Sequence, residues 1–531
     1  MQQHNFPSGK PETDIKKPAL GADAIAGFIV FLLALPLSLG IAKASDFPPM
    51  MGVFTAIIGG MLVSFFAGSQ LSIKGPAAGL IVIVLGAVND YGGGEQGWRL
   101  ALGTIFIAGL IQVIFGLMRL GRLVDFFPLS SIHGMLAAIG MIIIIKQLPV
   151  LLNSDPGIIK GKSIPGLLLS IPDQIAGMDP RAALVGIISL AIMLSWNGLT
   201  SKTILRKIPA PLLVLLVAVP MQLLLDFERT TNGNSLLRIG SLLDDFGWKA
   251  DFSGINRPFT FIRYVLMFAI VGSIESLLTV KATDLLDPLK RKSRNSKDLI
   301  AIGIGNMVSS AFGGLPMISE VARSSANVNN GGLTVRANFF HGLFLLFFVV
   351  LALPFIQLIP NTALAAMLIS VGIKLAHPRE FIYILKIGKD QLAIFLTTIF
   401  LTLFQDLLVG ISAGILLKII FHVMNGAPLK SLFSVVASVS FNKKDYLLEV
   451  EEVAAFTNFL GIKSRLKAIP PGMNVTIDFS KSVFVDHSVQ DNIDSFCKDY
   501  SSRGGSVRII GLENHKAISS HPLATRVRSH K

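Results

Sequence analysis

Three charged side chains lie where charge is costly. Glu275 sits inside an apolar run, with residues 268–274 before it and Leu277 and Leu278 after it. Glu320 and Arg323 stand three apart beside another apolar stretch. A charge in hydrocarbon costs ~3 kcal/mol or more, so an intramembrane ionisable residue is a functional candidate by default. Burial disfavours the charged form of a carboxylate, so Glu275 can carry a proton, or hold a cation, as a coupling ion. The alternative is a carboxylate that stays protonated, or pairs with Lys281 or Arg323, and does nothing more. Glu320 opens a short helical run over Val321, Ala322 and Arg323, where a carboxylate can cap free N–H groups or carry a proton. Arg323 offers a permanent positive charge, either to an anion or to a salt bridge with Glu320 or Glu275. A second interruption, Gly75-Pro76-Ala77-Ala78, is uncharged, and the small side chains of Ala78 and Ala322 would let an anion approach backbone donors. The sequence shows no nucleotide-binding loop, metal-ligand cluster or nucleophile–base pair, which argues against a membrane-embedded enzyme.

These residues need elements to hold them. The chain has 531 residues, of which only 15% are charged, and a mean hydropathy of +0.64; a soluble protein carries about 25% charged residues. Apolar runs of about 20 residues, enough for ~30 Å of hydrocarbon, are expected near 20–42, 51–68, 76–88, 98–118, 129–148, 181–197, 209–225, 261–280, 297–312, 318–329, 339–359, 362–376, 391–405 and 407–424, fourteen in all. Residues 1–17 are polar and read as a cytoplasmic tail, not a signal peptide. The transmembrane domain then covers 18–425. From 430 the pattern changes to strands near 447–450, 453–456, 475–479 and 507–510 and helices near 458–468 and 488–500, an α/β domain over 430–515. Residues 516–531 are expected to be a disordered tail. The single cysteine, Cys497, excludes internal disulfides and zinc clusters and reads as a small buried side chain in a reducing cytoplasm. The sequon at Asn474 falls on the cytoplasmic side and is discounted.

The formal charge of +14 marks orientation and not a nucleic-acid partner. Its basic residues cluster in alternate connections: Arg119 and Arg122; Lys202, Arg206 and Lys207; Lys290, Arg291, Lys292, Arg294 and Lys297; Arg379, Lys386 and Lys389. The opposite loops are mixed in sign, with Asp226, Glu228, Asp244, Asp245 and Asp251 in one of them. Positive loops stay inside, so both termini are expected in the cytoplasm.

The two interruptions are related. Residues 56–69 align without gaps to 301–314, identical at six of fourteen positions and offset by 245 residues. Each copy is followed by a short extended run and a short broken span. Seven spans separate equivalent helices, so the halves form a seven-plus-seven inverted repeat, as in secondary transporters. Irregular backbone at membrane depth is tolerated only inside protein or along a cavity. A half-helix starting there aims free N–H groups and the positive end of its dipole inward, so two facing starts make an anion site. Pro76 suits the first turn of one such helix.

These segments resemble the sulfate permease (SulP) family, over about residues 18–515. Residues 27–42, with Pro36, are similar to the family's opening signature; Gly75-Pro76-Ala77-Ala78 to its third-helix motif; and residues 273–279 to the eighth-helix segment of its bicarbonate-transporting branch, where an aspartate stands in place of Glu275. The resemblance implies that this carboxylate, with Thr279, forms part of a sodium (Na+) site, whereas burial of the carboxylate would let a proton (H+) be the coupling ion. It also implies a core of helices 1–4 and 8–11 moving against a gate domain, usually in a homodimer. The tenth span departs from that branch at Ser319-Glu320-Val321-Ala322, and Glu320 is similar to the second glutamate of nucleobase transporters of the same fold. Residues 475–488 resemble the STAS domain, in which a serine at the matching helix start, here Ser488, is phosphorylated in anti-sigma-factor antagonists; N-capping is the plainer role. The expectation is a secondary transporter of a small inorganic anion, sulfate or bicarbonate, in a bacterial inner membrane. It needs no cofactor beyond its coupling ion, and a cytoplasmic regulator would act at the STAS domain. The alternatives are a proton-coupled nucleobase symporter and a passive anion channel.

Overall fold

The structure, a computed structural model, describes residues 20–121, 128–159, 162–200, 208–225, 247–405, 407–442, 444–470, 472–502 and 504–528. The expected tail at 1–17 and the loop residues Arg122, Lys202, Arg206, Lys207, Asp226, Glu228, Asp244 and Asp245 lie outside them.

Each candidate apolar segment contains a helix. Five of them, such as Leu20–Ala44, Gly94–Leu117 and Leu129–Leu151, are long and apolar enough to cross a membrane by length and composition; others, such as Ala210–Leu224, are shorter. Prolines set several ends. The run expected at 339–359 breaks into Arg336–Leu351 and a separate Leu353–Gln357 with Pro354 in its first turn, because proline cannot continue a helix but suits its start. Helix Pro378–Ile387, outside the expected spans, is strongly amphipathic and buries Ile384 and Ile387.

The membrane helices pack as two groups. Leu20–Ala44, Pro49–Met61, Ile81–Asp90, Gly94–Leu117, Pro258–Leu286, Asn295–Ala311, Val321–Asn329 and Arg336–Leu351 contact mainly one another and form the core. Leu129–Leu151, Pro180–Leu199, Ala210–Leu224, Asn361–Leu375, Lys389–Phe404 and Leu407–Met424 form the gate. This is the division between helices 1–4 with 8–11 and the rest that the resemblance implies. The groups meet at fewer places, chiefly where Leu20–Ala44 touches Asn361–Leu375.

After Met424 the chain forms an α/β domain with two small sheets. In one, Ala437–Asn442 pairs antiparallel with Asp445–Val450, which runs parallel to Asn474–Asp478, itself parallel to Ser506–Ile510. Helices Phe459–Lys467 and His487–Ser502 close its apolar core around Leu448, Ile477, Phe479 and Val489. Strand Ala437–Asn442 is exposed along most of its length, so its residues carried no burial signal and it exists through backbone pairing. The expected disorder from 516 is corrected over 516–528: His515–Ala517 and Arg526–Arg528 pair with each other, and the latter also joins Ser482–Val485. Too polar and short to read as strands, they gain order from a sheet edge already in place.

Candidate functional site

The site begins with two short strands inside the core. Ile73–Pro76 and Met317–Glu320 pair antiparallel, with Gly75 opposite Ile318 and Pro76 opposite Met317. Each strand runs straight into a short helix: a 3-10 turn Ala78–Leu80 leading to Ile81–Asp90, and Val321–Asn329. The two interruptions read from the repeat are thus one ribbon. Pro76 is corrected from helix to strand end; Ala77 is the N-cap, and its N–H donates to Pro316 O at 3.3 Å. Proline lacks the ladder donor, so it fits where the ribbon stops.

Strand backbone in a core has no helix to satisfy it, and neighbouring side chains take that role. Asn306 Oδ1 accepts from Met317 N–H at 2.6 Å, and its Nδ2 donates to Gln112 Oε1 at 2.7 Å. Ser276 Oγ accepts from Ser319 N–H at 3.1 Å. Ser324 Oγ accepts from Ile73 N–H at 2.9 Å, and Asn338 Oδ1 from Lys74 N–H at 3.1 Å. Beside them lies an ion pair between Lys74 Nζ and Asp298 Oδ1 at 3.0 Å, both side chains buried. Asp298 also accepts from the N–H groups of Gly68 and Ser69 and from Ser319 Oγ. The sequence reading missed this pair and these amides. Lys74, a lysine next to Gly-Pro-Ala-Ala, was the one signal available.

Arg323 is wholly buried. Its Nη2 donates to Ser38 Oγ at 3.1 Å, two residues past buried Pro36 on helix Leu20–Ala44, while Nε and Nη1 have no hydrogen-bond partner. Glu320 adopts the capping role: its Oε2 accepts from Arg323 N–H at 2.8 Å and stands 4.0 Å from Arg323 Nε. Glu275 comes in from helix Pro258–Leu286; it is partly buried, with Oε2 sealed from solvent and unpartnered. Thr279, one turn further on, is buried.

Glycines make room for both charged groups. A Cβ on Gly75 would fall 2.2 Å from Arg323 Nη1, and one on Gly79 only 2.1 Å from Glu275 Oε1. The structure therefore gathers Pro36, Gly75, Pro76, Ala77, Ala78, Glu275, Glu320 and Arg323 around the ribbon. Ala322 is partly buried, and Val321 is exposed, so only its backbone belongs to the helix start. A buried guanidinium with idle donors and two helix starts can together hold one small anion, and the acidic side chain beside them can take up a cation.

Comparison with known proteins bears on the family and the fold. The model of the sulfate permease family matches residues 20–398. The chain belongs to the sulfate permease family. Among curated members, it is 28% identical over 402 residues to the putative sulfate transporter YvdB of Bacillus subtilis, covering 76% of this chain and 73% of that protein. It is 26% identical over 403 residues to the bicarbonate transporter BicA of Picosynechococcus sp., covering 74% and 68%. The transmembrane domain of a cyanobacterial BicA shares the fold at a TM-score of 0.64, 23% identity, over 75% of this chain and 97% of that one. SLC26A9 does so at 0.68, 16% identity, over 93% and 84%. The chain is thus an anion-transport family member with an SLC26-like membrane fold, and its C-terminal α/β domain is consistent with STAS.

Ser488 lies far from the ribbon. Helix His487–Ser502 starts before it, so Ser488 is inside the first turn and not at the N-cap. Its hydroxyl accepts from Lys418 Nζ at 2.8 Å, and the side chain is buried. Cys497 is on the same helix, and burial pushes its thiol up to about 11, which keeps it protonated and unreactive.

Proposed function

We propose that this sulfate permease family protein is a secondary active transporter of a small inorganic anion of the sulfate or bicarbonate class. The reading rests on one observation: the buried Arg323 guanidinium, with Nε and Nη1 unpartnered, behind Gly75 at the crossing of two helix starts. The anion is held by these donors and by the N–H groups near Ala77 and Ala322. A proton or a sodium ion on Glu275, with Glu320 and Thr279 nearby, balances charge that the anion brings in, so that loading both changes the net charge of the core less than the anion alone would. Transport proceeds by alternating access, the core sliding against the gate and carrying the ribbon with it. The weak contact between the two helical groups supports such movement. Basic loops orient the chain with both termini in the cytoplasm of a bacterial inner membrane.

The test is uptake of labelled sulfate, bicarbonate and uracil into proteoliposomes, with proton and sodium gradients imposed separately. Sulfate or bicarbonate should accumulate against its gradient, driven by one of the two ions. Glu275→Gln should abolish the driven uptake while leaving the protein folded. Accumulation by that variant with unchanged ion dependence would remove Glu275 from the mechanism, and preference for uracil would transfer the protein to the nucleobase carriers.

A further inference from the structure

The C-terminal domain touches the two helical groups in different ways. On the gate side the contact is buried. Lys418, near the end of helix Leu407–Met424, is fully buried and reaches Asp486 Oδ2 at 3.0 Å and Ser488 Oγ at 2.8 Å. His422, one turn on, has Nε2 3.5 Å from Asp486 Oδ1 and packs its ring on Phe484 at 4.7 Å. Lys418 also lies over the Phe456 ring at 5.2 Å. Ser519 Oγ donates to Ile387 O at the end of helix Pro378–Ile387, which packs on gate helices Leu129–Leu151 and Lys389–Phe404, and His521 meets Tyr383 of that helix edge-on. Removing one partner of a buried pair strands a charge, so such a joint does not open readily.

On the core side the contact is exposed. Helix His487–Ser502 begins at the Lys418 joint and carries Asp499 near its other end, where it pairs with Lys292. Lys292 is on the connection between core helices Pro258–Leu286 and Asn295–Ala311. That connection is stiff: Arg291 clasps Asp287 at 2.8 Å and donates to Leu333 O at 2.7 Å, and Ser293 is fixed on Asp284. With Lys292 exposed and Asp499 half-buried, the pair is still open to solvent, weak and salt-screened.

We infer that helix His487–Ser502 is a strut from gate to core, and that Lys292–Asp499 is a breakable latch holding the core in the position seen here. The inference rests on the alternating-access reading. A domain fixed to the gate cannot follow the core, so core movement must part Lys292 from Asp499. The latch then slows each cycle, and cytoplasmic salt or any ligand that covers Asp499 speeds it.

The test uses the full chain in proteoliposomes, with Cys497→Ser as background. Lys292→Cys and Asp499→Cys are bridged by a short bis-methanethiosulfonate, which dithiothreitol removes. Bridging should cut anion uptake at least about tenfold, and reduction should restore it, whereas bridging Lys386→Cys to Ser519→Cys, within the gate joint, should leave uptake unchanged. Without a bridge, Lys292→Gln should raise the rate about two- to fivefold, the range a surface pair can supply, and raised salt should erase that difference. Equal uptake by the bridged and reduced forms of the Lys292/Asp499 variant would overturn the latch. Failure of the reduced forms to transport any of the anions would instead count against the transport reading.

Discussion

At the scale of single residues, the site depends on atoms that are missing as much as on those present. Gly79 shows this most directly. Its position admits the Glu275 carboxylate, and a methyl group there would overlap Oε1. Gly79→Ala is therefore expected to displace Glu275 and lower driven uptake by roughly one to two orders of magnitude, the scale of loss that a misplacement of about 1 Å produces. The thermal midpoint should change little, since only the far end of one flexible side chain must shift; uptake and thermal unfolding of one purified sample check both halves. The sequence made Glu275, Glu320 and Arg323 legible, because charge in an apolar run is conspicuous. It left Glu320 open between cap and proton carrier, and the hydrogen bond to Arg323 N–H gives it the cap geometry. Ser38 and Gly79 carried no signal, being ordinary residues in apolar helices.

At the scale of elements, the ribbon of Ile73–Pro76 and Met317–Glu320 is a defect in a helical core that its neighbours make stable. Each of Asn306, Asn338, Ser276 and Ser324 satisfies a strand group that would otherwise be buried unpaired, at a cost of ~1–3 kcal/mol each. The Lys74–Asp298 pair is the most demanding of these supports, because both groups are fully desolvated. Asp298→Asn leaves Lys74 charged without a counterion and turns the Oδ2 acceptor of Ser319 into an NH2 donor, while its Oδ1 can still accept from Gly68 and Ser69. We expect a loss of about 3–5 kcal/mol, read as a lowered midpoint in detergent and loss of uptake; Lys74→Met with Asp298→Asn should recover much of that stability. The repeat at 56–69 and 301–314 disclosed that two interruptions are equivalent. It could not disclose that they hydrogen-bond to each other, since pairing over more than 240 residues depends on how eight helices stack.

At the scale of the whole molecule, a helical membrane domain and an α/β domain share a buried polar joint, and pH acts on it. Burial opposes ionisation of Asp486, but Lys418 and His422 outweigh it and hold the carboxyl well below the usual carboxylate range. Its contribution to docking is thus present above about pH 4 and is lost only in stronger acid. His487 responds sooner. Burial lowers its imidazole below the ordinary value, against the hydrogen bond its Nδ1–H donates to Leu523 O. The folded domain therefore binds fewer protons at this position than an unfolded chain below about pH 6.5, and its stability weakens as pH falls through that value. Protection factors across 486–502, each taken against the intrinsic exchange rate at the same pH, should fall between pH 7.5 and 5.5, and His487→Gln should flatten the response. Composition and periodicity alone disclosed an apolar helical part, a polar C-terminal part and the charged residues that stand in or beside apolar runs, because each is a local property of hydropathy or charge. What they could not settle was which of those segments touch. The ribbon crossing, the glycine clearances, the Lys418–Asp486 joint and the strands after residue 515 all join residues far apart in the chain, and only packing brings such residues within reach of a hydrogen bond.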